Sequence, residues 1–186
     1  MILPITLYGH PVLKKRGENI TKDYENLQDV IKNMWQTMYS ASGIGLAAPQ
    51  VDLSIRLFVV DTVQLEEKRK NKFVGIKKVF INPTIKEENG EEWKFEEGCL
   101  SIPGIREDVF RKPTITIHYF DENFNEFTEE YDDMNARVIQ HEYDHIEGIL
   151  FTDKLKPLKK KLLLSKLNKI SKGEVETDYR VKAFRK

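Results

Sequence analysis

His141-Glu142-Tyr143-Asp144-His145 constrains the fold more than any other stretch of the chain. On a helix, at about 100° per residue, His145 lies about 40° around from His141, and Glu142 about 60° beyond His145. All three side chains then share one face, with two imidazoles for a divalent cation and a carboxylate beside the water that the cation activates. The segment is therefore expected to be helical, with a further ligand supplied from elsewhere in the chain.

The flanking sequence supports a helix buried on more than one side. Asp132 or Asp133 is placed to cap its N-terminus, and Gly148 suits its C-terminal end. Val138 precedes His141 by three residues, while Ile139, Tyr143 and Ile146 carry apolar surface around other faces. Such burial keeps water scarce around a metal.

The 186 residues, of which 40% are hydrophobic, suffice for one core, so residues 1–186 are expected to form one catalytic domain. Asp23 to Ala41 carries apolar or aromatic side chains near the helical period and predicts an N-terminal amphipathic helix, ended by the turn Ser42-Gly43-Ile44-Gly45. Ile55 to Val60 reads as a buried strand and Val79 to Asn82 as another, ended by Pro83, with a solvated charged loop from Gln64 to Lys78 between them. The acidic run Glu87 to Glu97 reads as a solvated hairpin edge. Thr114 to Phe120 alternates as a strand does, with Glu126 to Tyr131 as its partner across an Asp121-Glu122-Asn123 turn. Beyond Pro157, Leu158, Leu162, Leu163, Leu167 and Ile170 set against lysines predict a C-terminal helix. The fold class expected is α+β, with antiparallel sheets around the central HExxH helix.

For the third ligand, His10 and His118 read as a turn residue and a strand surface residue. Cys99, in Glu97-Gly98-Cys99-Leu100-Ser101-Ile102-Pro103-Gly104, is the strongest candidate. Its thiol would ionise on a dication, giving a two-histidine, one-thiolate site with an open fourth position, which suits catalysis. In Gly43-Ile44-Gly45-Leu46-Ala47-Ala48-Pro49-Gln50, glycines permit close backbone approach and Gln50 carries an amide able to donate to an oxyanion. Thirty basic and thirty acidic side chains cancel, so no global field gathers DNA or a membrane surface. A lone cysteine, no basic leader and no long apolar run predict a cytoplasmic protein.

Gly43 to Gln50, Glu97-Gly98-Cys99-Leu100-Ser101 and Gln140 to His145 together resemble the three signature motifs of the peptide deformylase family, in the family's order. That resemblance implies hydrolysis of the N-formyl group from the formylmethionine of newly made polypeptides, with release of formate. It implies a metal on Cys99, His141 and His145, Glu142 as the base, and an oxyanion held by the metal, the Gln50 amide and the Leu100 backbone N–H. It further implies Fe²⁺ as the working metal, replaceable by Zn²⁺, Ni²⁺ or Co²⁺, although ligand softness alone suggests zinc. Ile44, Gly45 and Val138 become walls of a methionine slot, and Arg106 reaches the peptide further along. Arg137 departs from the aliphatic residue the family often has, leaving that wall open to question.

Two other readings stay in view. A metzincin is excluded because Phe151 stands where its third histidine belongs, and a thermolysin-like enzyme would have only Glu174 or Glu176, in a polar tail, for its late ligand. The eight lysines between Lys154 and Lys172 would suit a nucleic-acid or ribosome-binding module, a role compatible with a deformylase that meets chains near the ribosomal peptide exit.

Overall fold

A computed structural model describes residues 1–67 and 73–184. Its architecture is α+β: a five-stranded antiparallel sheet, two two-stranded sheets and three α-helices. The strands are β1 (Ile5–Thr6), β2 (Gly45–Ala47), β3 (Leu57–Asp61), β4 (Lys77–Asn89), β5 (Trp93–Cys99), β6 (Ile102–Arg111), β7 (Thr114–Phe120), β8 (Glu126–Tyr131) and β9 (Val181–Lys182). The helices are α1 (Leu27–Ser40), α2 (Asp133–Ile146) and α3 (Pro157–Ser171). The large sheet runs β2-β3-β4-β7-β8, β5 pairs with β6 as a separate hairpin, and β1 pairs with β9 in parallel.

Strand periodicity explains the layers. On β3, Leu57 and Val59 face one core with Ile31, Met34 and Met38 of α1, while Phe58 and Val60 face another with Met134, Val138 and Ile139 of α2. The strand is covered on both faces, so its sequence is an unbroken apolar run rather than an alternation. Behind α2, Ile102, Ile105 and Val109 of β6 pack with Leu163, Leu167 and Ile170 of α3. Eleven of the fourteen α2 residues are buried, as a helix enclosed between a sheet and a hairpin must be. Gly148, at φ +74°, ends it in the left-handed conformation that glycine adopts without penalty.

Five expectations need correction. Pro83 does not end the second predicted strand; a register shift between Ile81 and Thr84 sets it in a bulge, where its missing N–H breaks no ladder bond. Asn82 adopts φ +49° there and bonds to both the N–H and the carbonyl of Ile20 (2.9 and 2.7 Å). Asp132 holds the N-cap position of α2 without a side-chain capping bond. On α3, Leu158 and Leu162 are each 72% exposed, since Leu163, Leu167 and Ile170 suffice to seat the helix. The acidic run is not all solvent-facing, because Glu97 is buried. Of the predicted loop from Gln64 to Lys78, residues 68–72 lie outside the described residues, and Lys77 and Lys78 already belong to β4. Among the described residues, no helix is long and apolar enough to cross a membrane.

Candidate metal centre and cleft

His141 and His145 project from one face of α2, with ring centroids 5.1 Å apart. Cys99, the last residue of β5, crosses this face and puts its Sγ 3.2 Å from His145 Nε2. Ligand atoms of Cys99, His141 and His145 all lie within 4.8 Å of one another. Two imidazole nitrogens and one thiolate form a donor set suited to a divalent transition ion. Glu142 Oε2 is buried and has no hydrogen-bond partner among the described residues, as expected of a group whose partner belongs to a ligand or solvent.

The residue that organises the centre is Glu97, which the sequence reading placed on a solvated edge. It stands two residues before Cys99 on β5, so both side chains share a face. Arg111 holds its carboxylate bidentately (Nε 2.6 Å, Nη2 2.9 Å), and Arg137 Nη1 donates at 2.9 Å. Burial acts to raise the Glu97 carboxyl, but the hydrogen bonds from Arg111 and His141 outweigh it and keep the group ionised far below the usual carboxylate range. An ionised carboxylate only accepts, so His141 Nδ1, 2.9 Å away, must carry the proton. In the neutral ring this makes Nε2 the nitrogen with the lone pair that a metal would take. Arg111 also reaches Asp144 (2.7 Å), tying the hairpin to α2.

Arg137 resolves the question its departure raised. Its guanidinium is buried, donates to the Val109 and Trp93 carbonyls (3.0 and 2.7 Å) and lies 4.4 Å from the Trp93 ring centroid. It braces Glu97 while still bordering the cleft.

That cleft has a volume of about 640 Å³ and is bordered by His141, Glu142, Cys99, Leu100, Gln50, Ile44, Gly45, Val138 and Arg106, together with Glu176 to Tyr179 of the C-terminal tail. Every site residue expected from sequence therefore faces one space except His145, which is buried behind Cys99. The Gln50 Oε1 accepts from Ala47 N–H (2.8 Å), which turns Nε2 toward Cys99 Sγ (3.5 Å) and Ser101 Oγ (3.3 Å). A Cβ on Gly45 would lie 2.4 Å from Glu142 Oε1, so only glycine lets β2 pass this close to the carboxylate. Burial pushes the Glu142 carboxyl up to about 7, with His141 pulling it down and Glu97 pushing it up; burial holds His145 well below its ordinary value. Arg106 lies along the cleft with its guanidinium on Glu96 (2.9 Å).

Sequence reasoning missed Glu97, Arg111, Ser101 and Tyr179. Glu97 and Ser101 left a signal, each two positions from Cys99 in its motif; Arg111 and Tyr179 reach the site from distant segments.

Residues 2–161 match the polypeptide deformylase family. The chain is 58% identical to the peptide deformylase of Christiangramia forsetii, covering 98% of this chain and 96% of that one, and 57% identical to that of Flavobacterium psychrophilum, covering 98% and 97%. The fold superimposes on the crystal structure of a peptide deformylase from Legionella pneumophila with a TM-score of 0.81 at 38% identity, covering 94% of this chain and 98% of that one.

Proposed function

This chain belongs to the polypeptide deformylase family, metal-dependent hydrolases that remove the N-formyl group from nascent peptides, and we propose that Cys99, His141 and His145 hold its metal and Glu142 moves the proton. A divalent cation bound there would acidify a water and polarise the formyl carbonyl. Glu142 takes the proton from that water and later returns it to the leaving amine, a shuttle that suits a carboxyl poised near neutrality. The Gln50 Nε2 and the Leu100 N–H donate to the oxyanion that develops on the formyl oxygen. Ile44, Gly45 and Val138 line the slot for the methionine side chain, and Arg106 lies beside residues further along the peptide. Glu97 fixes the His141 tautomer, and Arg111 and Arg137 keep Glu97 ionised.

The observation that carries this reading is the convergence of a Cys, His, His donor cluster with a buried, unpartnered carboxylate at the floor of one cleft. We assign Fe²⁺ as the metal in the cell, with Zn²⁺, Ni²⁺ or Co²⁺ able to substitute, a single catalytic domain over residues 1–186, and a cytoplasmic location. The lysine-rich α3, with Leu158 and Leu162 on its exposed side, is the surface offered to the ribosome. Formate release from formyl-Met-Ala-Ser under anaerobic conditions tests the whole. It should stop with a chelator and return with Fe²⁺, and a metal-loaded Glu142→Ala protein of normal activity would overturn the role given to Glu142.

A further inference from the structure

The turn that carries Leu100 is not held by its own hairpin alone. Between β5 and β6 the register slips from Gly98 opposite Arg106 to Cys99 opposite Ile102, so Leu100 and Ser101 lie outside the regular ladder. Two segments remote in sequence fix them instead. The Tyr8 N–H donates to the Ser101 carbonyl (2.8 Å), and the Tyr179 hydroxyl donates to the Leu100 carbonyl (2.8 Å).

Tyr179 belongs to the tail that follows α3, beyond the residues matched to the family. Its half-buried ring packs against the same core cluster as Leu100. The tail is itself anchored: Ile5 N–H donates to the Arg180 carbonyl (2.8 Å), Leu7 N–H to the Lys182 carbonyl (2.9 Å), and Thr177 Oγ1 to the carbonyl of Tyr179 (2.7 Å). β9 thus clamps the tail onto β1, and Tyr179, two residues before it, reaches over the mouth of the cleft to the turn.

We propose that Tyr179 is a positioning residue for deformylation: its hydroxyl holds the Leu100–Ser101 peptide plane, and so limits the Leu100 torsions through which the adjoining Cys99–Leu100 plane presents the Leu100 N–H to the formyl oxygen, making the C-terminal tail part of the catalytic apparatus. This rests on the assignment of the Leu100 N–H as an oxyanion donor. Such a donor acts only if it already points at the charge that develops, because reorientation during the reaction forfeits its contribution. The Leu100 N–H lies in the plane next to the one the tyrosine hydroxyl holds, so deleting that hydroxyl frees the Leu100 torsions that set the direction of the N–H.

Tyr179→Phe keeps the ring and its packing and deletes only the hydroxyl. With formyl-Met-Ala-Ser, kcat should fall about tenfold, short of the 10²- to 10³-fold lost when a donor is removed outright. KM should stay within twofold, and metal content and Tm should match the parent. In the diamagnetic zinc form, the amide resonances of Leu100 and Ser101 should shift while those of α2 stay in place. A kcat within twofold of the parent, a loss that only follows lost metal or lowered Tm, or unmoved Leu100 and Ser101 resonances would each overturn the proposal. Formate added to the zinc form of the parent separates the two readings. If it moves the Leu100 amide resonance while Tyr179→Phe keeps parental kcat, only the role of Tyr179 fails; if it leaves that resonance in place, the Leu100 N–H is not the donor and the reading beneath fails.

Discussion

Gly45→Ala is a one-carbon change whose effect the geometry sets in advance. The new Cβ would sit 2.4 Å from Glu142 Oε1, 2.8 Å from Cδ and 2.9 Å from Cγ, where ordinary contact begins at 3.4 Å. The carboxylate must retreat by about 1 Å, and because Cγ is also crowded the whole side chain has to turn. β2 cannot give way instead, since it is hydrogen-bonded to β3 and all three of its residues are buried. A misplacement of about 1 Å at a reacting group costs on the order of 10²-fold in rate, or about 2.7 kcal/mol of barrier. Overpacking should also lower stability by about 1–3 kcal/mol. The assay is kcat/KM for formate release with metal content measured on the same sample, since Cys99, His141 and His145 are untouched and loading should be normal. A double-mutant cycle identifies the cause. Glu142→Asp withdraws the carboxylate by one methylene, so adding Gly45→Ala to it should cost much less than 10²-fold. A folded, metal-loaded Gly45→Ala enzyme with parental kcat/KM, or full additivity in the cycle, would refute this account of Gly45.

Further consequences can be measured in the same system. Glu97→Gln should destabilise the fold by about 3–5 kcal/mol at pH 7, because Arg111 and Arg137 are left buried beside a neutral amide; chemical denaturation measures it. The Glu97 carboxyl is depressed in the folded state, so its stabilisation is fully present above the unfolded value of about 4.3 and is lost as pH falls toward the folded one. The Tm gap between parent and Glu97→Gln should therefore narrow below about pH 4, and a gap unchanged from pH 7 to pH 3 would contradict the assignment. The acid limb of kcat/KM should lie at or below 7 and fall tenfold per pH unit, since Glu142 must be ionised to accept a proton and a nearby dication favours that form; a limb above 7 would exclude it as the base. Val138→Trp should abolish the preference for methionine over smaller first residues, and a preserved preference would move the slot elsewhere.

Helix spacing, motif order and the polar-apolar pattern were enough to expect α2 as a buried helix with two histidines on one face, to single out Cys99 rather than His10 or His118 as the residue that meets them, and to outline most of the strands. These follow from local rules, since three side chains on a 3.6-residue period share a face whatever surrounds them, and a central strand must be apolar to be buried. What the tertiary structure decided is how charge is managed behind the ligands. Glu97 looks like one more member of an acidic run, and Arg137 like an intrusion into a methionine slot, until β5, β6 and α2 bring them together with Arg111 inside the protein. Arg111, fourteen positions after Glu97 and thirty-three before Asp144, gives no periodic signal of either partner. Tyr179 is likewise anonymous in a polar tail, and only the parallel pairing of β9 with β1 carries it to Leu100. Contacts within one element are written in its period; buried ion pairs and remote hydrogen bonds depend on which elements fold against one another, and that is settled by the packing of the whole core.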